Sequence, residues 1–350
     1  MIKCVVWDLD NTLLDGVYLE SPDKPPSAVP ALAAVVAELA ARGILHAIAS
    51  RNPPEAAGHA EQATGHRFAA AACGWGAKSQ AVTEIMAELE LEPGAVAFVD
   101  DDPLERAEVA HAHPGVLVLA PQEVPEAAGW PQFSPPVITD EARRRGELYL
   151  ARRARREEEA AFGGSREEFL RHCRTQVTIA PAGPADLPRL HELSARTRQF
   201  NSAGAALSRE RLARLLAAPD RRVIAVRLRD RFGDDGLVGA AVVALPAAAP
   251  GEWSVELLMM SCRAMGRGVI EALLAWICRA ARSAGAGRVS VACVVSPRNV
   301  PLRIALAATG FRAAEPAVAP AAGGGHRMAT YSRRLDGSLP ELPGWARGTW

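Results

Sequence analysis

Apolar runs in the first part of the chain alternate with stretches of helical length. The runs IKCVVW, ILHAIAS, AVAFVDDD and GVLVLA have the length and composition of buried parallel strands, and VPALAAVVAELAARG is typical of a helix that ends at Gly43. Strands and helices that alternate in this way predict an α/β fold with a doubly wound, Rossmann-like parallel sheet. In such a sheet the functional site lies at the carboxyl ends of the strands.

A different pattern begins near residue 176. The segments TQVTIAPAG, RVIAVRLRDRF, LVGAAVVALP, WSVELLMMSC and RVSVACVV alternate as strands do, and HRMATYSRR is a further candidate strand. The glycine-containing turn RAMGRG separates the fourth of these strands from the apolar helix VIEALLAWICRAARSAG. This order predicts a second α/β domain with a mixed sheet.

A charged segment separates the two patterns. Thr139 is a candidate N-cap for a helix that runs to about Glu159, and two glycines at 163 and 164 end it. A chain of 350 residues is long enough for roughly two domains. The predicted organisation is a first domain at 1–130, a helical connector at 131–170, a second domain at 171–335 and a tail at 336–350.

The composition excludes several classes of protein. The chain is 49% hydrophobic and 23% charged with a formal net charge of zero, which is typical of a globular protein without a nucleic-acid or membrane partner. Its start lacks the pattern of a secretory signal, and no apolar run is long enough for a membrane span. The six cysteines form no Cys-x-x-Cys pair, so neither a disulfide framework nor a zinc site is indicated. These features favour a cytoplasmic protein.

The residues that carry chemistry in the first domain follow the predicted strands. Asp8 is placed to take a phosphoryl group as a nucleophile, and Asp10 is placed to act as its acid and base. Ser50 can donate a hydrogen bond to the phosphoryl group, and Lys78 can neutralise its charge. Such a group of anions requires a hard cation, and Mg²⁺ is the expected cofactor. The predicted metal ligands are Asp8, Asp10, Asp100 and Asp101, and the choice between the last two stays open.

These elements resemble a known superfamily. DLDNT, Ser50, Lys78 and VDDD are similar, in this order, to the four motifs of the haloacid dehalogenase (HAD) superfamily. The stretch between Asp10 and Ser50 is too short for a large inserted cap domain. The resemblance therefore implies an open site that serves macromolecular or tethered substrates.

The glycine turn of the second domain indicates an anion site. Arg263, Gly266, Arg267 and Gly268 lie between a strand and a helix, where backbone N–H groups and the helix N-terminus can approach a pyrophosphate or a pantetheine arm. Together with Asn299 and the TGF sequence that follows, this turn resembles the GNAT acyltransferase fold. The resemblance implies that these residues bind coenzyme A or the phosphopantetheine arm of a carrier protein.

Cys262 directly precedes this turn. A thiol beside Arg263 and close to the start of a helix is placed to react as a thiolate, although a cysteine at the end of a strand can equally be a core residue. Cys4, Cys278 and Cys293 lie within apolar segments and are predicted to be core residues.

The combination of the two domains resembles the FkbH-like family, in which a HAD domain of the subfamily IIIC type is joined to a GNAT-like domain. WDLDNTL, GWGAKS, FVDDDPLERAEV, RTRQFN, DRFGDDGLVG and LMMSCRAMGRGV carry this resemblance. It implies an enzyme for polyketide-type biosynthesis that loads a glyceryl unit from 1,3-bisphosphoglycerate onto an acyl carrier protein, with dephosphorylation. The expected covalent intermediate is a thioester on Cys262. The order of acyl transfer and dephosphorylation stays open.

Two other interpretations remain. In the first, a HAD phosphatase is fused to an acyl-CoA-dependent N-acyltransferase of a small-molecule pathway, and no protein thiol takes part. In the second, the pair of domains only docks a carrier protein. The intact set Asp8, Asp10, Lys78 and Asp101 argues against a role in docking alone.

Overall fold

A computed structural model describes residues 1–20, 24–135, 137–197, 199–245, 251–313 and 327–349. The chain divides into two compact units, Met1–Ala154 and Arg155–Trp350. Across the described ranges, every helix is too short or too polar to span a membrane.

The first unit contains a parallel sheet of five strands in the order β3-β2-β1-β4-β5. The central strand β1 pairs in parallel with β2 and β4. The strands are β1 (Cys4–Trp7), β2 (Leu45–Ser50), β3 (Ala70–Cys73), β4 (Val96–Val99) and β5 (Leu117–Leu119). The main helices are α1 (Pro30–Ala41), α2 (Glu55–Thr64), α3 (Lys78–Leu89) and α4 (Pro103–Ala112), followed by the short α5 (Val124–Ala127) and α6 (Asp140–Arg143).

Alternate residues of β1 pack into two different hydrophobic clusters. Val5 and Trp7 share a cluster with apolar residues of α1 and α2, whereas Cys4 and Val6 share one with those of α3 and α4. The sheet is therefore covered on both faces, which confirms the predicted doubly wound fold. Strand β3 was not predicted, because its sequence, AAAC, lacks the β-branched and aromatic residues that favour strands.

The boundary between the units falls within helix α7 (Arg145–Ala161). Thr139 caps the preceding α6, as its hydroxyl accepts a hydrogen bond from the N–H of Ala142. The second unit continues with α8 (Arg166–His172), α9 (Leu187–Arg196), α10 (Arg209–Ala217), α11 (Val269–Ser283) and α12 (Val300–Ala308).

The second unit contains a mixed sheet of eight strands in the order β11-β12-β10-β9-β8-β7-β6-β13. Its pairs are antiparallel except for β9 with β10 and β6 with β13, so the predicted mixed α/β fold is confirmed. The strands are β6 (Gln176–Pro181), β7 (Arg221–Asp230), β8 (Gly233–Ala244), β9 (Glu252–Met260), β10 (Arg288–Val295), β11 (Arg312–Ala313), β12 (Arg327–Arg334) and β13 (Ala346–Gly348).

Two segments of the second unit bear on the sequence expectations. Strand β13 lies in the segment expected to be a tail, and it extends the sheet beside β6. The strand predicted at HRMATYSRR is present as β12, although its first residue, position 326, lies outside the described residues.

Helix α11 buries ten of its residues and forms much of the core on one side of the sheet.

Candidate active site

The polar residues predicted in the first unit meet at one edge of its sheet. Asp8 follows the last residue of β1, Ser50 ends β2, and Asp100 follows the last residue of β4. Parallel strands place their carboxyl ends at the same edge, and β1 lies between the other two. Lys78, the first residue of α3, completes the arrangement.

Lys78 forms buried ion pairs with Asp8 and Asp100. Its Nζ contacts an oxygen of Asp8 and lies 2.9 Å from Oδ2 of Asp100, and all three side chains are less than 10% exposed. Burial raises the pKa of Asp8 and raises that of Asp100 to about 7, because Lys78 only partly offsets the loss of hydration. Burial acts to lower the pKa of Lys78, but the two carboxylates outweigh it and the net shift is upward.

Three carboxylates in this cluster can hold a metal ion. Oxygens of Asp8, Asp100 and Asp101 lie within 4.8 Å of one another. Hard oxygen donors are the ligands that Mg²⁺ prefers, and a cation beside the buried Asp8 and Asp100 would offset their charge. The residues therefore fit the expected Mg²⁺ and include both Asp100 and Asp101. The carboxylate of Asp10, expected as a fourth ligand, is not among them.

The carboxylate of Asp10 is instead held by two hydrogen bonds. Its Oδ1 accepts from the backbone N–H of Tyr18 at 2.9 Å, and its Oδ2 accepts from Nδ2 of Asn52 at 2.9 Å. The single turn Leu9–Leu13 brings Asp10 back toward the strand ends, and within it Asn11 has a positive φ of 54°. These two contacts fix the position of the Asp10 carboxylate.

Asn52 was not predicted as a site residue. Besides its bond to Asp10, its Nδ2 donates to Oγ of Ser50 at 3.0 Å, and its side chain is buried. It therefore ties the acid/base carboxylate to the serine at the end of β2. The sequence feature that could have identified Asn52 is its position two residues after Ser50.

Glu105 and Arg51 are two further residues that the sequence did not single out. Oε2 of Glu105 lies 3.0 Å from Nζ of Lys78, and Oε1 lies 3.0 Å from Nε of Arg51. Glu105 belongs to the first turn of α4, whose N-cap is Asp102 through a bond of 2.8 Å from the N–H of Leu104.

The glycine turn of the second unit has the predicted backbone shape. Gly266 and Gly268 have φ values of +72° and +66°, a region that other residues rarely adopt, and α11 begins directly afterwards at Val269. A side chain at Gly266 would also collide with the guanidinium of Arg166. The turn is preceded by a short 3₁₀ segment, Cys262–Ala264.

Arg267 does not extend from this turn toward a ligand. Its side chain is 5% exposed and pairs with Asp230, at 2.6 Å, and with Asp235. Arg155 binds the same Asp230 through two bonds of 2.6 and 3.0 Å. The donors of its side chain are directed into a buried ion-pair network, and the expected role of Arg267 in cofactor binding stays a prediction. Arg263 is also buried.

Asn299 is likewise a buried residue with partners inside the fold. Its Nδ2 donates to the carbonyl of Val294 and to Sγ of Cys293, and its Oδ1 accepts from the N–H of Ser296 at 3.2 Å. These bonds fasten the end of β10 to the turn before α12. Asn299 is therefore placed to support the loop, in contrast to its expected contact with a cofactor.

The parallel pair of β9 and β10 separates after four residues. Pairing covers only 252–255 and 288–291, and beyond this the residues 200–202 lie between the strands. The N–H of Ser202 donates to the carbonyl of Leu258, and Oγ of Ser202 accepts from the N–H of Leu258, both at 2.9 Å. On the other side, the carbonyl of Ser202 accepts from the N–H of Val294 at 2.8 Å. The N–H of Met260 donates to the carbonyl of Phe200 at 2.9 Å. Part of the RTRQFN stretch thus fills the gap between the strands, while its Arg198 lies outside the described residues.

The cysteines of the second unit differ in exposure. Cys173, Cys278 and Cys293 are fully buried, and burial raises the pKa of each thiol, to about 11 for the last two. Cys262 is half-buried. The predicted core positions of Cys4, Cys278 and Cys293 are confirmed.

Comparisons with known proteins relate each unit to a different group of solved structures. The N-terminal part of a Bacteroides fragilis protein that contains a phosphatase domain, solved in complex with Mg, is 26% identical over 34% of this chain, with a TM-score of 0.31. The match spans 36% of that chain's length. No protein-family model and no curated protein matches this chain.

Other similar structures include several acetyltransferases. A Desulfovibrio desulfuricans protein of the GNAT family is 17% identical over 45% of this chain and 99% of its own, with a TM-score of 0.38. Spermidine N-acetyltransferase from Vibrio cholerae, in complex with CoA and spermine, is 13% identical over 46% of this chain and 96% of its own, with a TM-score of 0.36. All these TM-scores are below 0.5, so the function has to be inferred from the residues of this chain.

Proposed function

We propose that the first unit is a Mg²⁺-dependent phosphohydrolase that forms an aspartyl phosphate on Asp8. The observation that supports this most directly is the joint arrangement of Asp8, Asp100, Asp101 and Lys78 at the end of the parallel sheet. In this geometry Asp8 supplies a carboxylate nucleophile, Lys78 supplies positive charge for a phosphoryl group, and the three carboxylates together would hold the cation that offsets their charge.

Each step has a residue in place to perform it. The Asp8 carboxylate attacks phosphorus, and the bond from phosphorus to the leaving oxygen breaks while Asp10 supplies a proton to that oxygen. Water then attacks the aspartyl phosphate, Asp10 takes the proton from this water, and phosphate leaves. Asn52 and the N–H of Tyr18 keep Asp10 in position through both steps. Bound Mg²⁺ would neutralise charge among Asp8, Asp100, Asp101 and the phosphoryl oxygens.

Hydrolysis of p-nitrophenyl phosphate by wild type, Asp8→Asn and Asp10→Asn tests this proposal. We expect Asp8→Asn to lower kcat by about 1,000-fold or more, since the nucleophile is lost. Asp10→Asn should slow both steps and flatten the pH–rate profile, because the acid and base is lost. Unchanged rates in Asp8→Asn would contradict the assignment.

For the whole chain, we propose the transfer of a glyceryl or related three-carbon acyl unit to the phosphopantetheine thiol of an acyl carrier protein. The exposure of Cys262 supports this, because the other three cysteines of the second unit are buried. The resemblance of both units to the FkbH-like family suggests 1,3-bisphosphoglycerate as the acyl donor.

The proposed chemistry balances with this donor. The Cys262 thiolate attacks the carbonyl carbon of the acyl phosphate, a thioester forms, and the bond from carbon to the phosphate oxygen breaks, so that phosphate leaves. The remaining phosphate ester is hydrolysed at Asp8, before or after transfer. The carrier's thiolate then attacks the thioester and releases the thiolate of Cys262.

Intact mass spectrometry tests covalent loading. Wild type, Cys262→Ala and the matched control Cys278→Ala are incubated with 1,3-bisphosphoglycerate and Mg²⁺. We expect a glyceryl or phosphoglyceryl mass gain on wild type and on Cys278→Ala but not on Cys262→Ala. A gain that persists in Cys262→Ala, or its absence from wild type, contradicts the proposal.

A second candidate is a phosphatase fused to an acyl-CoA-dependent N-acyltransferase. The glycine turn at the start of α11 favours it, since such a turn can bind the pyrophosphate of coenzyme A. Consumption of acetyl-CoA by Cys262→Ala in the presence of amines would support this candidate, because direct transfer to an amine needs no protein thiol.

A further inference from the structure

Arg51 lies between two residues that face the phosphoryl site. Ser50 and Asn52 are buried and bonded to each other, and Asn52 also binds Asp10. The Arg51 side chain is 49% exposed, in contrast to its neighbours. It therefore stands at the solvent side of the site.

Glu105 connects Arg51 to the site. The same carboxylate lies 3.0 Å from Nε of Arg51 and 3.0 Å from Nζ of Lys78, and its side chain is only 12% exposed. This bridge holds the guanidinium near Lys78, which itself contacts Asp8. A guanidinium has five N–H donors, so a bond through Nε leaves others able to bind an oxyanion.

The charges around the site favour Arg51 as the residue that meets a further anion. Asp8, Asp10, Asp100, Asp101 and Glu105 are five carboxylates, and the cations beside them include Lys78, Arg51 and Arg106. Lys78 is buried and already contacts three of these carboxylates, and Nη1 of Arg106 donates to the backbone carbonyls of Asp100 and Asp101 at 2.7 and 2.8 Å. Arg51 is the most exposed of these three cations, so it is placed to attract additional negative charge on a substrate.

We propose that Arg51 binds a second anionic group, a carboxylate or a phosphate, on the substrate whose phosphoryl group Asp8 receives. The residue thereby selects phosphorylated substrates that carry another anion a few bonds from the transferred group. This inference rests on the proposed phosphohydrolase and adds the class of its substrate.

Three matched compounds test the inference. Glycerol 3-phosphate has no second anion, 3-phosphoglycerate has a carboxylate, and propane-1,3-diol bisphosphate has a second phosphate. In Arg51→Gln we expect KM to rise about 10- to 30-fold for the two compounds with a second anion, which corresponds to the loss of about 1.4–2 kcal/mol from a charge-assisted hydrogen bond. For glycerol 3-phosphate the rise should stay below about 3-fold. Arg67→Gln, a change at an exposed arginine of the same unit, is the control.

The pattern of the KM changes in Arg51→Gln distinguishes two roles for Arg51. In one it binds the second anion of the substrate, and in the other it only holds Glu105 in place. An equal loss for all three compounds, or a fall in kcat without a rise in KM, would overturn the inference, because Arg51 would then act only through Glu105 and Lys78. A larger effect on the bisphosphate than on the carboxylate identifies phosphate as the preferred second group, and the reverse identifies carboxylate.

Calorimetry on an inactive background keeps the two proposals distinguishable. Binding of 3-phosphoglycerate and glycerol 3-phosphate is measured with Mg²⁺ on Asp8→Asn and on Asp8→Asn with Arg51→Gln. We expect a preference for 3-phosphoglycerate that disappears without Arg51, whether or not the wild-type protein hydrolyses these compounds. The absence of this preference when Arg51 is present contradicts the inference, whereas a failure of hydrolysis alone contradicts only the phosphohydrolase.

Discussion

The phosphoryl site of the first unit and the glycine turn of the second were both predicted to bind ligands, but their side chains have different surroundings. Asp8, Asp100 and Lys78 lie against one another around a possible metal site. Arg267 and Asn299 are instead buried against residues of their own fold. One region retains its predicted chemistry in its side chains, and the other retains it only in its backbone.

The physical basis of this difference is how far a side chain can reach. A short carboxylate at the end of a parallel strand lies at the sheet edge, because the strand direction places it there. An arginine is long enough to reach distant partners, and Asp230 at the end of β7 takes up the charge of Arg267. Substitutions should therefore affect activity in the first region and stability in the second.

After the loss of the nucleophile in Asp8→Asn, the largest effect is expected for Asp100→Asn. The loss of a metal ligand should lower phosphatase activity about 100-fold or more and raise the Mg²⁺ concentration needed for half-maximal activity. The free energy of unfolding should change by no more than about 1 kcal/mol, since Asn replaces a carboxylate whose ionised form is disfavoured by burial. Magnesium titration and thermal melts in EDTA measure the two effects.

Asp102→Asn is the matched control for this prediction. Asp102 neighbours the cluster but caps α4, a role that asparagine performs as well. Equal losses in both variants would show that the helix start, and not metal binding, was disturbed.

A stability effect is expected for Arg267→Met. Removal of Arg267 leaves two buried carboxylates, Asp230 and Asp235, to share the counter-charge of Arg155, and we expect the free energy of unfolding to fall by about 3–5 kcal/mol. Urea denaturation measures the change, with the exposed Arg279→Met as the control. If Arg267→Met has unchanged stability but binds a pantetheine ligand more weakly, Arg267 is a ligand-binding residue and the expected role of its ion pairs in stability is wrong.

A smaller loss is expected for Asn299→Ala. The carbonyl of Val294 loses its buried donor, and the free energy of unfolding should fall by about 1–3 kcal/mol. Denaturant unfolding is again the measurement. If Asn299→Ala retains wild-type stability but loses affinity for coenzyme A, the expectation drawn from the sequence is correct and the interpretation of the hydrogen bonds is wrong.

The smallest effect concerns a buried histidine beside the first sheet. His46 is 1% exposed and accepts a bond of 2.9 Å from Nε1 of Trp7, and burial holds its pKa well below 6.5. The unfolded chain therefore takes up a proton here below about pH 6.5 that the folded chain does not, so stability should fall as the pH falls. The contribution is at most about 1.4 kcal/mol per pH unit.

The variant His46→Asn isolates this contribution. The asparagine Oδ1 can accept the hydrogen bond from Trp7 in place of the histidine Nδ1, and asparagine does not titrate. The difference in unfolding free energy between wild type and variant, measured from pH 7.5 to 5.5, should shift in favour of the variant as the pH falls. A difference that does not vary with pH would show that His46 does not titrate on unfolding in this range.

Most of the fold and part of the site could be predicted from the chain alone. Alternating apolar runs indicated both α/β architectures, except for β3, β11 and β13, whose short sequences carry little strand signal. The strand ends indicated Asp8, Ser50 and Asp101 for the site, with the choice between Asp100 and Asp101 as metal ligand left open. Asn52, Glu105 and Arg51 could not be found in this way, because a polar residue after a strand or in a first helical turn is ordinary.

The sequence by itself determined most of the strands and helices and the residues at their ends, because these follow from local patterns. Only the tertiary structure decided where the long side chains are directed. Glu105 could have faced solvent but bridges Lys78 and Arg51, and Arg267 could have faced a ligand but binds Asp230. Buried charges require partners, and those partners come from distant parts of the chain that no local pattern reveals.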